Sequence, residues 1–357
     1  MTVSSWSGAP PKSTTGSWVA ISSTTLAPAQ LDARDCSVGF PEMHALVTGC
    51  AGFIGSHLTE SLLVDGHTVL GVDCFNDNYG RRDKLENLEQ ARSWDDFEFV
   101  PIDLSRGDLL DVVADCDVLF HLGAEPGVRS SWGQRFETYV RNNVMATQHL
   151  LEAAKQWPEK RFVYASSSSV YGQAETMPTR EDTIPRPLSP YGTTKLAAEH
   201  LCSLYGANYG LPVVILRYFS VYGPRQRPDM AFNIFCRAAV ADEPIAVYGD
   251  GMQTRDFTYV SDVVAGTRAA AEAPDALGGT FNLGGGSCVC LRSALDLIED
   301  CAGRRLEIQY LDVQPGDVRD TGADTTLARK VLGFVPKVPL ADGLVEEFEW
   351  AAARIRA

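Results

Sequence analysis

The run Ala45-Leu46-Val47-Thr48-Gly49-Cys50-Ala51-Gly52-Phe53-Ile54-Gly55 constrains the fold of this chain more than any other segment. Its apolar opening, bounded by glycine, reads as a buried strand. Ser56-His57-Leu58-Thr59-Glu60-Ser61-Leu62-Leu63 continues with apolar residues at helical spacing. Strand, glycine turn and helix start in that order gather main-chain amides and the positive end of a helix dipole around an anion, and the glycines let a pyrophosphate approach the backbone. The spacing is G-x-x-G-x-x-G. Thr68-Val69-Leu70-Gly71-Val72-Asp73 and Phe97-Glu98-Phe99-Val100-Pro101-Ile102 read as the next two strands. In a chain of 357 residues, strands alternating with helices predict an α/β fold, a Rossmann-type doubly wound parallel sheet.

The second strand ends in an acid, Asp73, 18 residues beyond Gly55. An acid at that strand end accepts both ribose hydroxyls of an adenosine and repels the extra phosphate of NADP, which favours NAD. Arg81 and Arg82, close behind, are the counter-signal, because arginines near this strand end would hold a phosphate. Asp103, at the end of the third strand, and Leu104 after it are placed to touch adenine; a turn-forming aspartate is the other reading of Asp103.

Further on, Ser189-Pro190-Tyr191-Gly192-Thr193-Thr194-Lys195 sets a phenol and an ammonium one helical turn apart on one face. A neighbouring cation favours phenolate and draws tyrosine down from about 10 towards the working pH, where a general base is most effective. Alone, the pair also describes an ordinary, partly exposed helix face. Its place after the glycine loop and after Ser166-Ser167-Ser168-Ser169 selects the chemical reading, a proton-transfer device for oxidising alcohols.

Composition narrows the partners. A net charge of −15 argues against nucleic acid or an anionic membrane surface, and a site for a nucleoside diphosphate must then be locally basic. No apolar run approaches the roughly 20 residues that span a bilayer. Nine cysteines, an odd number without C-x-x-C pairs, read as reduced cytosolic thiols, and Cys288 and Cys290 as alternating strand residues rather than metal ligands. Residues 1–42 are dominated by Ser, Thr, Pro and Ala, and Trp18-Val19-Ala20-Ile21 is too short for a signal-peptide core. A flexible extension is expected there.

Over roughly residues 43–352 the chain resembles the extended short-chain dehydrogenase/reductases of the nucleotide-sugar epimerase and dehydratase group. The resemblance rests on Thr48 to Gly55, His121-Leu122-Gly123-Ala124, Ser166 to Gly172, Tyr191 to Lys195, Arg217-Tyr218-Phe219-Ser220 and Arg255 to Asp262. It implies an NAD-binding part over 43–219, with 260–283 returning to it, and a sugar-binding part over 220–259 and 284–357. Leu122, Gly123, Ala124, Asn76 and Tyr218 then belong to the cofactor site, and Ser167 shares the substrate hydroxyl proton with Tyr191, with Ser168 and Ser169 as neighbours in register. Dehydratases of this group carry Asp-Glu directly after the catalytic threonine, where this chain has Ser168-Ser169, which argues against dehydration. The group also implies a homodimer paired through helices near 141–156 and 191–209. A non-catalytic dinucleotide-binding protein of this fold is the reading from another class, and retention of Tyr191 and Lys195 speaks against it.

Two segments bear on the sugar. Phe75-Asn76-Asp77-Asn78-Tyr79 and Arg227-Pro228-Asp229-Met230 are similar to loops of the UDP-glucuronate 4-epimerases. The resemblance puts Arg227 and Ser220 on the hexuronate carboxylate, for which an arginine fork is well suited; a surface salt bridge is the alternative for Arg227. Arg129, in Gly127-Val128-Arg129, falls over the sugar or diphosphate. Arg255 and Arg319 match the arginines that clasp the diphosphate, Asp317 the residue at the uridine ribose, and Asn143 the asparagine beside the sugar, with structural capping as its alternative. Glu125-Pro126 and Arg225-Gln226 depart from the pattern. Gln314-Pro315-Gly316-Asp317-Val318-Arg319 also resembles UDP-N-acetylglucosamine 4-epimerases, which makes an N-acetylhexosamine or glucose the second substrate reading.

Overall fold

The computed structural model describes residues 42–356, so all but the last residue of the expected N-terminal extension lies outside the described residues. The strands β1 (His44–Thr48), β2 (Thr68–Val72), β3 (Phe97–Val100), β4 (Val118–His121), β5 (Arg161–Ser167) and β6 (Val213–Tyr218) join the strand Thr280–Leu283 in one seven-stranded sheet. Its order is Thr280–Leu283, β6, β5, β4, β1, β2, β3, and every neighbouring pair is parallel. This is the doubly wound α/β class expected from the alternation.

Such a sheet is covered on both faces, which explains why its central strands are apolar along their length rather than alternating. Ala45 and Val47 pack on one side with Leu58 and Leu62 of the helix Phe53–Val64, while Leu46 packs on the other with Leu119, Leu150 and Ala198. Burying Leu58 or Leu62 completely contributes about 2–3 kcal/mol each. The third strand stops at Val100, short of the predicted Ile102, because Pro101 has no N–H to give the ladder. Asp103 therefore stands in a turn beyond the strand.

From β1 the chain runs outward through β2 and β3, then crosses back to β4 on the other side of β1. Thr48 is in register with Val72 on one side and His121 on the other. The connections leaving β1 and β4 must part here, which opens a crevice at the carboxyl ends. Outside the main sheet, Val221–Tyr222 pairs with Thr258–Tyr259, Ile245–Tyr248 with Ile308–Leu311, and Thr254–Asp256 with Cys288–Cys290. Among the described residues no helix is long and apolar enough to cross a membrane.

Candidate active site

A cavity of about 200 Å3 lies at that crevice, and every residue assigned above to the cofactor lines it. Gly49 adopts φ 73° and gives its N–H to the Val72 carbonyl at 2.7 Å. A Cβ on Gly55 would stand 2.1 Å from the Gly49 carbonyl oxygen, and one on Gly49 would stand 2.9 Å from the Gly123 nitrogen. Only glycine lets these turns close. The helix Phe53–Val64 starts at Gly52 without a side-chain cap, so its first-turn amides are left to an outside anion. Gly123 is held by its N–H to Thr48 Oγ1 at 3.0 Å, between Leu122 and Ala124 on the wall. A cradle that any Cβ would fill fits the pyrophosphate of a dinucleotide.

Beyond the end of β2, buried Asp73 accepts the Phe75 N–H at 2.7 Å and pairs with Lys84 at 3.3 Å. Lys84, itself buried, also donates to Asn76 Oδ1 at 2.6 Å. Sequence reasoning missed Lys84 and weighed Arg81 and Arg82 instead. Arg82 pairs outside with Glu86, and Arg81 lies over the Phe75 ring. The signal was available in helical phase, since Arg81–Asn87 buries only Lys84 and Asn87. Asp103 lines the cavity and accepts the Ser105 N–H and hydroxyl at 3.0 and 2.6 Å, the contacts of a turn-forming aspartate.

Tyr191 and Lys195 share the helix Pro190–Tyr209, which Ser189 caps by accepting the Gly192 N–H at 3.1 Å with Pro190 in the first turn. Lys195 is buried and donates to the Ala165 carbonyl at 2.8 Å; burial lowers its pKa to about 8. Burial also holds the Tyr191 phenol above its usual value, against a downward pull from the Ser167 hydroxyl and then from Arg227. The expected depression by Lys195 does not figure among these influences, because the ammonium is turned towards the Ala165 carbonyl. Tyr139 packs edge-on against Tyr191 with ring centres 6.3 Å apart.

The members of the serine run play different parts. Ser166 donates to Glu199 Oε1 at 2.5 Å, and Arg217 grips the same carboxylate at 2.9 and 2.6 Å in a buried pair. That ties the end of β5 and the strand β6 to the Tyr191 helix, an arrangement without a local sequence signal. Ser167 accepts the Ser169 N–H and donates to Ser169 Oγ, both at 3.1 Å, and so caps the turn Ser168–Val170. Of the run, Ser166 reaches the cavity lining.

Of the residues assigned to substrate, Arg227 lines the cavity. Its Nε and Nη2 donate to Asp229 at 3.0 and 2.9 Å, and Nη1 has no hydrogen-bond partner among the described residues. Ser220 sits at φ 23° in the turn leading to it. Arg129, Arg255, Asp317 and Arg319 lie outside the cavity lining. Arg129 pairs with Asp317 at 2.7 Å above the Tyr248 ring, Arg319 pairs with Asp250 at 2.9 Å, and Arg255 donates to the Thr254, Val318 and Arg319 carbonyls. Asn143, buried in the π-helical turn Val140–Met145, accepts the Glu125 N–H at 2.6 Å and donates to the Glu125 carbonyl and Thr194 Oγ1 at 3.0 Å. It joins the β4 loop to the Tyr191 helix. Glu125, one of the departures from the family pattern, is buried among Asn76, Asn142 and Arg135.

The profile of the NAD dependent epimerase/dehydratase family matches residues 45–284. A relative in Bacillus subtilis, named as an uncharacterized UDP-glucose epimerase, is 44% identical over 312 residues, 87% of this chain and 98% of that protein. The UDP-glucuronate 4-epimerase of Thermodesulfobacterium geofontis is 37% identical over 316 residues, 87% of this chain and 96% of its own. The crystal structure of UDP-glucuronic acid 4-epimerase from Bacillus cereus with UDP-glucuronic acid and NAD superposes with a TM-score of 0.85 at 43% identity, covering 87% of this chain and 100% of that one.

Proposed function

Because the chain belongs to the NAD dependent epimerase/dehydratase family, we propose that it interconverts UDP-glucuronate and UDP-galacturonate through a transient 4-keto sugar. The carrying observation is that one cavity is lined by both the half-buried Tyr191 and the arginine Arg227. Gly49, Gly52, Phe53, Ile54 and Gly55 would hold the pyrophosphate of NAD, Asp73 and Asn76 the adenosine ribose side, Asp103 and Leu104 the adenine, and Leu122, Gly123, Ala124 and Tyr218 the remaining wall. When bound, NAD supplies reversible two-electron oxidation of the C4 alcohol.

The chain itself supplies the proton path and the geometry. Tyr191 takes the 4-hydroxyl proton as the carbon is oxidised and returns it after the ketone has turned, with Ser167 sharing the bond. Lys195, which keeps its proton below about pH 8, holds that end of the site positive. A 4-keto uronate is a β-keto acid and loses carbon dioxide when the C5–carboxylate bond aligns with the carbonyl. Arg227, helped by Ser220, selects the anion and fixes that torsion with its planar fork. Arg129, Arg255, Arg319 and Asp317 serve the uridine diphosphate, and Asn143, Ser168 and Ser169 the sugar side. The division into residues 43–219 with 260–283 and residues 220–259 with 284–357 follows this split of ligand halves.

We place the enzyme in the cytoplasm as a homodimer. Eight cysteines among the described residues are free, and Met145, Leu204 and Tyr209 expose apolar surface on the two helices expected to pair. A second reading, epimerisation of a neutral UDP-hexose, is favoured by the name of the Bacillus subtilis relative. Product analysis with UDP-glucuronate, UDP-glucose and UDP-N-acetylglucosamine decides: UDP-galacturonate without accumulating NADH supports the proposal, and turnover confined to a neutral sugar replaces it with the second reading.

A further inference from the structure

The turn that delivers Arg227 is strained, and part of its bracing comes from the helix that follows the glycine loop. Ser220 at φ 23° and Arg225 at φ 66° both occupy the left-handed region that side chains avoid, with Gly223 at φ 134° between them. Such a turn persists only where its surroundings over-determine it. Gln226 supplies part of this: it donates to the Val221 carbonyl at 3.1 Å and accepts the Asn233 N–H at 2.9 Å. Glu347, on the helix Leu340–Arg356, accepts the Gly223 N–H at 2.8 Å, and two further contacts come from the helix Phe53–Val64, whose opening turn lines the cavity. One turn further along, His57 Nε2 meets the Pro224 carbonyl at 2.9 Å, and because a carbonyl only accepts, that nitrogen carries the proton. Glu60 stands 2.8 Å from Arg225 Nη2, with both side chains largely buried.

We propose that His57 and Glu60 are positioning residues for Arg227, so that the glycine-loop helix anchors the turn that recognises the acidic sugar. The proposal rests on the uronate reading above. A bidentate clamp works only within a few tenths of an ångström and some ten or twenty degrees. Loss of the brace lets residues 220–227 relax and moves the Arg227 fork, while Tyr191, carried by a different helix, keeps its place. The uronate therefore loses affinity and a neutral sugar on the same nucleotide does not. The departure Arg225-Gln226 thereby acquires a role, since both side chains hold the turn from outside the cavity.

The test uses purified full-length Glu60→Gln and Arg225→Gly. Glycine suits φ 66°, so Arg225→Gly removes the ion pair and the backbone strain together and is expected to keep the thermal midpoint of the wild type. Calorimetric affinities for UDP-glucuronate and UDP-glucose are compared, with the share of decarboxylated product followed by mass spectrometry. Expected are about a tenfold loss of UDP-glucuronate affinity, UDP-glucose affinity within twofold, and a several-fold larger decarboxylated share. Equal losses for both ligands mean a merely structural role and overturn the proposal, as does an unchanged preference in Arg225→Gly. Wild type that fails to favour UDP-glucuronate overturns the uronate reading itself, a separate result.

Discussion

The two rims of the cavity are built by opposite means. On the dinucleotide rim the ligand-facing surface is largely main chain at strand ends, where Gly49, Gly55 and Gly123 pack so closely that a methyl group would collide. On the side proposed for the sugar nucleotide the candidates are long side chains, of which Arg227 lines the cavity and the others lie outside its lining, and the cations are already matched: Arg129 by Asp317, Arg227 by Asp229, Arg319 by Asp250 and Arg255 by carbonyls. In a chain of net charge −15, each of these cations is thus held by an internal partner. On the proposed function, the first rim binds by shape fixed in advance and the second by exchanging internal partners for ligand charges, which predicts a salt-sensitive, substrate-defining side.

The sharpest break in that comparison falls on Tyr191, which serves both rims. Tyr191→Phe keeps the ring against Tyr139 and removes the proton acceptor, so turnover should drop by a factor on the order of 10² or more while NAD stays bound. Steady-state rates and the nicotinamide content of the purified variant check both halves, and undiminished turnover would remove Tyr191 from the chemistry.

Arg227→Lys probes the sugar rim. Charge survives but the planar fork is lost, so kcat/KM for UDP-glucuronate should fall by about tenfold and the 4-keto-pentose share of the products should rise. An unchanged product ratio by mass spectrometry would free Arg227 from the torsional role. Asp73→Ala probes the other rim and should act through Lys84, left buried without its counter-ion. NAD affinity should weaken by about tenfold and NADP affinity should gain relative to it. A constant NADP-to-NAD ratio in direct binding would mean that Lys84 does not govern the ribose end.

The same contrast explains what could be read before the fold was known. Gly49 to Gly55, Asp73 and Leu122 to Ala124 are set by short-range grammar, a strand followed at once by a turn, and all of them converge on the cavity. Lys84 was legible only in helical phase, and Glu125 only as a departure from a pattern. The grip of Arg217 on Glu199, and the pairing of Arg129 with Asp317, join residues far apart in the chain, so no local spacing announces them. The predicted pull of Lys195 on Tyr191 followed from spacing, whereas the outcome depends on desolvation, which only the packed cavity reveals. Strand limits failed where a single proline intervened, at Pro101.

The last expected effect leaves ligand binding aside, concerns the brace behind the sugar rim and is read as stability against pH. Glu347 is fully buried on the helix Leu340–Arg356 and accepts the Gly223 N–H at 2.8 Å, while its Oε1 has no partner. Burial raises its pKa to about 8, and the Gly223 N–H offsets only part of that. The folded state therefore holds a proton on Glu347 at pH values where the unfolded chain, titrating near the ordinary glutamate value, has released it. Its contribution is complete below about pH 4.5 and declines as pH rises towards 8, because folding then requires proton uptake. Glu347→Gln cannot titrate, so its melting temperature relative to wild type should climb between pH 5 and pH 8 by a few degrees, corresponding to a few kcal/mol. Depressed groups such as His57 are common to both proteins and cancel in the difference. A difference that stays flat across that window would mean that Glu347 is ionised in the fold, and that the Gly223 turn is held by a charge rather than by a neutral acid.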